Sequence, residues 1–367
     1  MGLQIGIVGL PNVGKSTLFN ALTRAGAAVA SYPFTTIEAN VGIVVVPDAR
    51  LERVAAIVRP NEVKHTTIEF VDIAGLVKDA HLGEGLGNQF LGHIRNVDAI
   101  ALVVRCFEHP DVAHVTAELD PLGDCDVIDL ELCLADLETV ERRLDKVHSV
   151  AKAQPRQFAA ELECLVRLKD HLAAGRTAAG FVFSDAEGDW VGPLNLLTAK
   201  PRLYIANVGE SDLPYGGPLA APVVHRAATE GAGAVVICAQ LESDLADWPP
   251  EDAAEYRAGL DLGQTGLERL VEASYRLLDL ITFFTATGTN VVRAWTLKRG
   301  QTAYDAAGKI HGDMQRGFIR AEVVSYPDLV ASGDFSTARE KGILRLEGRD
   351  YVVRDGDIIH IRFAPAH

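Results

Sequence analysis

The sequence predicts an α/β protein. It should hold a nucleotide-binding domain with a mostly parallel sheet, an inserted α-helical hairpin of coiled-coil type, and a small C-terminal α+β module. Three observations carry this. Gly9-Leu10-Pro11-Asn12-Val13-Gly14-Lys15-Ser16-Thr17 fits the phosphate-loop pattern G-x-x-x-x-G-K-[ST], between a strand-like run at 3–8 and a helix-like run at 17–22. Apolar residues then recur at three- and four-residue steps from Ile128 to Leu172. From Thr282 onward short β-type runs surround a single helical stretch.

Each residue type of the loop has a task. Glycines let the backbone wrap round phosphate, so that successive N–H groups form an anion nest. Lys15 should reach the β- and γ-phosphates, and Ser16 should offer its hydroxyl to Mg²⁺. The helix that begins near Lys15 adds its positive N-terminal end. Asn12, Val13, Gly14, Lys15, Ser16 and Thr17 are therefore the expected phosphate-binding set.

Composition limits the alternatives. The 367 residues suggest two or three domains, and 48% hydrophobic content is ample for large cores. A net charge of −15 argues against a protein coated in basic surface for nucleic acid. Cys106, Cys125, Cys133, Cys164 and Cys238 show no metal-ligand spacing and lie in or beside apolar segments, as buried thiols do in a reducing compartment. The first apolar run ends in the phosphate loop and so is not a signal peptide. Residue 6 is Gly, so Gly2 does not open a myristoylation motif. No uninterrupted apolar run reaches membrane-spanning length, and a cytoplasmic protein without a membrane partner is expected.

In chain order, Ala25 to Ala30 reads as small and flexible, 31–38 as a loop and 41–46 as a strand. A loop Thr here can close onto Mg²⁺ when a γ-phosphate is present, and Thr36 is preferred to Thr35. The strand 67–72 ends in Asp72-Ile73-Ala74-Gly75. Asp72 should hold Mg²⁺ through water, and Gly75 should give its N–H to the γ-phosphate. Leu76 follows where Ras-type GTPases carry the water-orienting Gln. Residues 83–89 look like a mobile second switch, 98–104 like a buried strand, and 107–126 like a polar loop containing His114. Leu130, Leu134, Leu137, Val140, Leu144 and Val147 form one seam, and Phe158, Leu162, Leu165, Leu168 and Leu172 a second, with a turn at Pro155. The resulting antiparallel hairpin is either a packed insertion or a partner-binding arm. Strands resume at 202–207 and 235–239, and a helix at 267–280 closes the nucleotide fold. The last module should contain strands at 291–297 and 320–324, a helix at 302–311, and a closing hairpin of 351–353 with 358–363. From Thr282 the chain carries 12 Lys and Arg against 10 Asp and Glu, net +2; the rest carries 23 against 40, net −17.

Taken together these motifs resemble the YchF or Obg-like ATPase family, a branch of the translation-factor-related P-loop NTPases. The likeness rests on 9–17, Pro33 to Glu38, Asp72 to Lys78, Gly83 to Phe90, Val103 to Glu108 and Asn207 to Glu210. Farther on, 292–296, 317–323 and 345–357 resemble the family's TGS domain. The resemblance implies an Obg-type P-loop NTPase domain over 1–125 and 200–281. It implies a helical hairpin over 126–199 and a β-grasp-like TGS domain over 282–365. It also implies an ATP hydrolase that prefers ATP to GTP, depends on Mg²⁺, releases ADP, and associates with the large ribosomal subunit through the TGS domain and hairpin. A monomer is expected.

Base preference has a physical side. Related GTPases use Asn-Lys-x-Asp, in which Asp takes the N1 and N2 protons of guanine. Here Val208 and Glu210 stand at the Lys and Asp positions after Asn207. A longer carboxylate misplaces the acceptor pair, while Asn207 can still bond an adenine edge. Two readings remain open beside the ATPase: a translation-related GTPase, and a nucleotide-sensing binding module with negligible turnover. Leu76 leaves the catalytic polar group to come from elsewhere. The resemblance offers two sources: His114, and a K⁺ ion held by Asn12.

Overall fold

Residues 3–24, 28–31, 40–73, 86–108, 119–287 and 290–364 are described by the structure, a computed structural model. Among them the strands are β1 (Gln4–Val8), β2 (Ala28–Ser31), β3 (Asn40–Val45), β4 (Glu62–Lys64), β5 (Thr67–Asp72), β6 (Ala99–Cys106), β7 (Arg202–Val208), β8 (Gly233–Ile237), β9 (Leu280–Thr287), β10 (Val291–Lys298), β11 (Phe318–Ser325), β12 (Arg345–Glu347) and β13 (Asp357–Phe363). Two compact units divide the chain: residues 1–43 with 69–273, and residues 44–68 with 274–367.

The first unit is built on a sheet ordered β2-β3-β5-β1-β6-β7-β8. The run from β5 to β8 is parallel, and the β2–β3 pair at the edge is antiparallel. All eight residues of β6 are buried, as expected of a strand covered on both faces by crossover helices. That connectivity gathers the carboxyl ends of β1, β5, β7 and β8 at one edge of the sheet, where ligands bind in such folds. The sequence reading of 25–30 missed β2, because Ala28, Val29 and Ala30 carry a weak strand signal that pairing with β3 overrides.

The hairpin helices span Pro121–Ala151 and Pro155–Ala173. The first begins within the stretch expected to be loop. Asp120 caps it by accepting from Gly123 N at 3.0 Å, with Pro121 at the first helical position. The seam is two-part. Val140, Leu144 and Val147 pack on Leu165, Leu168 and Leu172, whereas Leu130 is 51% exposed. Nearer its start the helix buries Cys125, Ile128 and Leu132 instead. Asp129, also buried there, is paired with Arg202 of β7 and with Arg226 of the helix Gly217–Thr229. Asp136, 1% exposed, accepts from the backbone of Leu197 and Thr198 at 2.8 Å each, tying the returning chain to the helix.

The second unit is a sheet ordered β12-β11-β13-β9-β10-β4. The first and last strands of its C-terminal part, β9 and β13, lie side by side and parallel, as in a β-grasp. One face packs on the helix Ala303–Ile310, which has a Thr302/Asp305 capping box. The other face packs on Ala49–Val58, Tyr326–Ser332 and Phe335–Glu340. Two features depart from the sequence reading. Residues 44–68, expected in the nucleotide domain, belong here: β4 pairs with β10, and Leu51 and Val54, both 0% exposed, pack with Phe284 and Val292. And β13 pairs with β11, while Val352 makes only an isolated bridge to Thr302, so 351–353 does not form the closing hairpin.

Candidate phosphate- and base-binding site

The loop after β1 has the backbone its sequence demands. Asn12 and Gly14 lie at φ 63° and 96°. Only Gly suits the second position, because a Cβ there would run into the Asn207 amide nitrogen. Gly9 is constrained by close approach instead: a Cβ would stand 2.6 Å from the Val103 carbonyl oxygen. The helix Lys15–Arg24 starts inside the loop, with Leu18 N donating to Gly14 O at 2.9 Å. Val13 is buried beneath the loop, and Ser16 is exposed at the helix start.

Lys15 is 8% exposed, and its Nζ donates to the Leu10 carbonyl at 2.7 Å. Burial brings its ammonium down to about 8, with the Asp72 carboxylate pulling the other way. Asp72 ends β5, in register with Ile7 of β1. Burial holds its carboxyl above the usual range, and Lys15 opposes that shift. The loop ammonium and the strand-end acid are thus electrostatic neighbours. Hydroxyl and carboxylate oxygens, as on Ser16 and Asp72, are the hard donors that suit Mg²⁺.

Asn207 is the link that sequence reasoning placed only in base recognition. It is 4% exposed at the end of β7. Its Nδ2 donates to Val13 O at 2.9 Å, and its Oδ1 accepts from Ala239 N at 3.0 Å. One side chain therefore fastens the phosphate loop to the turn after β8. The second Nδ2 hydrogen remains for a ligand.

A cavity of about 550 Å³ opens over the loop. Asn12, Gly14 to Thr17, Asn207, Val208, Gly209 and Glu210 line it. So do residues that sequence reasoning missed, among them Phe107, Ala239, Gln240, Leu241 and Asp244. For the residues from Ala239 onward the signal was only a strand ending in small residues, Cys238-Ala239, whereas Phe107 lies in the Val103 to Glu108 stretch without its role being marked. Phe107 is covered by the Arg105 guanidinium, 4.9 Å from the ring centre. Val208 is buried. Exposed Glu210 accepts from Tyr256 Oη at 2.5 Å, so its carboxylate is engaged within the protein. Thr36, Gly75, Leu76 and His114 lie outside the described residues. The five cysteines are buried and free, as their apolar settings suggested. Among the described residues no three His, Cys, Asp or Glu side chains form a metal cluster. No helix among them is long and apolar enough to cross a membrane.

Comparison with known proteins agrees with this geometry. Residues 4–133 match the family described as 50S ribosome-binding GTPase, and residues 280–364 match YchF-GTPase_C, described as a protein of unknown function. The ribosome-binding ATPase YchF of Bacillus subtilis (strain 168) is 50% identical over 365 residues, covering 99% of this chain and 100% of its own length. Its counterpart from Haemophilus influenzae is 47% identical over 363 residues, covering 99% of both. The solved YchF GTPase of Schizosaccharomyces pombe superposes with a TM-score of 0.86 at 32% identity, covering 98% of each chain. With a phosphate loop, a strand-end acid and near-complete alignment to these relatives, the chain belongs to the YchF family.

Proposed function

We propose that this protein is a Mg²⁺-dependent ATP hydrolase that binds the ribosome and uses nucleotide state as its switch. The observation that carries the chemistry is buried Lys15 lining an open cavity over the phosphate loop, with the strand-end carboxylate of Asp72 near enough to act on its charge. Lys15 and the loop amides stabilise charge on the transferring phosphoryl group. Ser16 and Thr36 would hold Mg²⁺, with Asp72 in reach of its water shell. The ion, when bound, neutralises charge on the β- and γ-oxygens. Loss of guanine selectivity is supported by the engagement of Glu210 with Tyr256. ATP preference and ribosome binding are supported by the names of the bacterial relatives. Turnover measured with ATP and GTP in competition tests the reading; equal use of the two overturns the ATP preference. Ribosome co-sedimentation that is identical with ATP, ADP and no nucleotide overturns the switch.

Protonation of Lys15 gives a pH signature. The phosphates need the ammonium form, and the free protein loses it near pH 8. Binding of ATP at pH 9 should therefore take up close to one proton. Titration calorimetry in buffers of different ionisation heat reads this directly, and zero uptake would contradict it. For stability the sign is the reverse of a salt-bridged lysine. Between pH 8 and 10.5 the unfolded chain holds more protons at this position, so the Lys15 contribution to nucleotide-free stability rises with pH.

His114→Ala should lower ATP turnover by about 10²-fold, as expected for a lost acid–base group, with nucleotide affinity barely changed. Unchanged turnover, together with strong dependence on K⁺ over Na⁺, would move the role to an ion at Asn12.

For the ribosome contact, the C-terminal module carries the relative excess of basic charge. Cutting at Leu280 would strip Phe284 and Val292 from Leu51 and Val54, so truncation damages what remains. Full-length Arg293→Glu is the cleaner probe, since Arg293 is exposed and stacks over Trp295 at 3.9 Å. It should weaken co-sedimentation several-fold without changing turnover; undiminished sedimentation moves the contact off this surface.

A further inference from the structure

The hairpin carries a second cavity, away from the phosphate loop, that the nucleotide chemistry does not use. It measures about 370 Å³, within the range of small-ligand sites, and lies between the first hairpin helix and the segment 189–194. Arg142, Arg143 and Lys146 line it, with Trp190, Leu194 and a single acid, Asp189. This is unusual in its surroundings. Residues 126–199 hold 8 Lys and Arg against 13 Asp and Glu, net −5. Yet three of those cations converge on one aromatic-walled hollow.

The two outer cations are available. Arg143 is anchored by Glu161, its Nε at 3.0 Å from the carboxylate. Arg142 donates only a long 3.4 Å bond to Thr139 Oγ1, and both Arg142 and Lys146 are exposed without an ion-pair partner among the described residues. They sit four residues apart on one helix face, a rise of about 6 Å, comparable with the separation of neighbouring phosphates on a strand. Trp190 is half-buried, packs on the hairpin core and also lines the cavity.

We propose that this cavity binds a nucleotide of single-stranded RNA, its base against Trp190 and its flanking phosphates on Arg142 and Lys146. Base stacking on an aromatic ring joined to backbone cations is how proteins hold unpaired strands. The acidic remainder of the hairpin disfavours a broad duplex footprint and suits one exposed nucleotide of a structured RNA. The inference rests on the ribosome-binding reading and makes the hairpin a partner-binding arm.

The test uses the full-length protein with saturating ATP and a fluorescein-labelled single-stranded adenine RNA hexamer, titrated across salt concentrations. Trp190→Ala should weaken binding about tenfold or more, while Trp190→Phe keeps most of it. Arg142→Ala with Lys146→Ala should weaken binding and lower the salt slope by about 1.4, two phosphate contacts on a single strand. ATP turnover should not change in any of these variants. Hexamer affinity and salt slope equal to wild type in all of them would overturn the proposal. So would a hexamer that fails to bind where a glutamate octapeptide binds at the same residues, since the occupant would then be an acidic protein segment. If the hexamer needs the cavity but the wild-type protein does not sediment with ribosomes, the ribosome reading falls and the RNA site stands.

Discussion

Lys15→Ala should reduce ATP turnover by at least about 10²–10³-fold, the loss seen when one preorganised charge-stabilising donor is removed, and leave the protein folded. The second half of that outcome follows from the geometry. Lys15 is 8% exposed, and burial lowers its ammonium from 10.5 to about 8. Keeping it charged at neutral pH costs about 3 kcal/mol of folding stability, at 1.36 kcal/mol per pKa unit. Alanine removes that cost and loses one bond to the Leu10 carbonyl, worth about 1–3 kcal/mol for a charged donor. The two nearly cancel. Thermal unfolding of the nucleotide-free variant should therefore match wild type within a few degrees, whereas ATP should stabilise the wild type more strongly. Turnover at the wild-type rate would remove Lys15 from the chemistry. A collapse of stability without nucleotide would make it a structural residue instead.

The sequence exposed some of this architecture and concealed the rest for identifiable reasons. The phosphate loop was legible because its chemistry restricts it to Gly, Lys and Ser or Thr at fixed spacing, next to a buried strand. The seam from Val140 to Leu172 was legible because one helix buries it against another. Leu130 fits the same spacing and is exposed, because the helix changes partner along its length and periodicity does not record which neighbour a face meets. Residues 44–68 were assigned by chain continuity, yet β4 joins β10 across more than two hundred residues, a pairing that no local pattern encodes. Asn207 sits at a motif position whose family role is base reading. That both ends of its amide also bind the protein's own backbone depends on Val13 and Ala239, which only the fold brings beside it.

The double role of Asn207 yields the other large effect. Asn207→Ala leaves the Val13 carbonyl and the Ala239 N–H without their partners, in a place where the side chain is 4% exposed. At about 1–3 kcal/mol for each of the two buried groups left unpaired, the nucleotide-free protein should lose about 2–6 kcal/mol. ATP affinity should fall with it, because the phosphate loop loses its tie to the turn after β8. Gly14→Ala attacks the same joint from the other side. It places a Cβ at φ 96° and against the Asn207 amide nitrogen. The backbone part of that cost persists in any background, but the collision exists only while the amide is there. In the double variant the collision is gone, so the two losses should sum to less than the singles by about 0.5–3 kcal/mol, the range for residues in contact. Urea unfolding of the wild type, both single variants and the double variant measures that coupling. Strict additivity would mean that collision with the Asn207 amide adds nothing to the cost of Gly14→Ala, and wild-type stability of Asn207→Ala alone would mean that Asn207 does not clamp the loop.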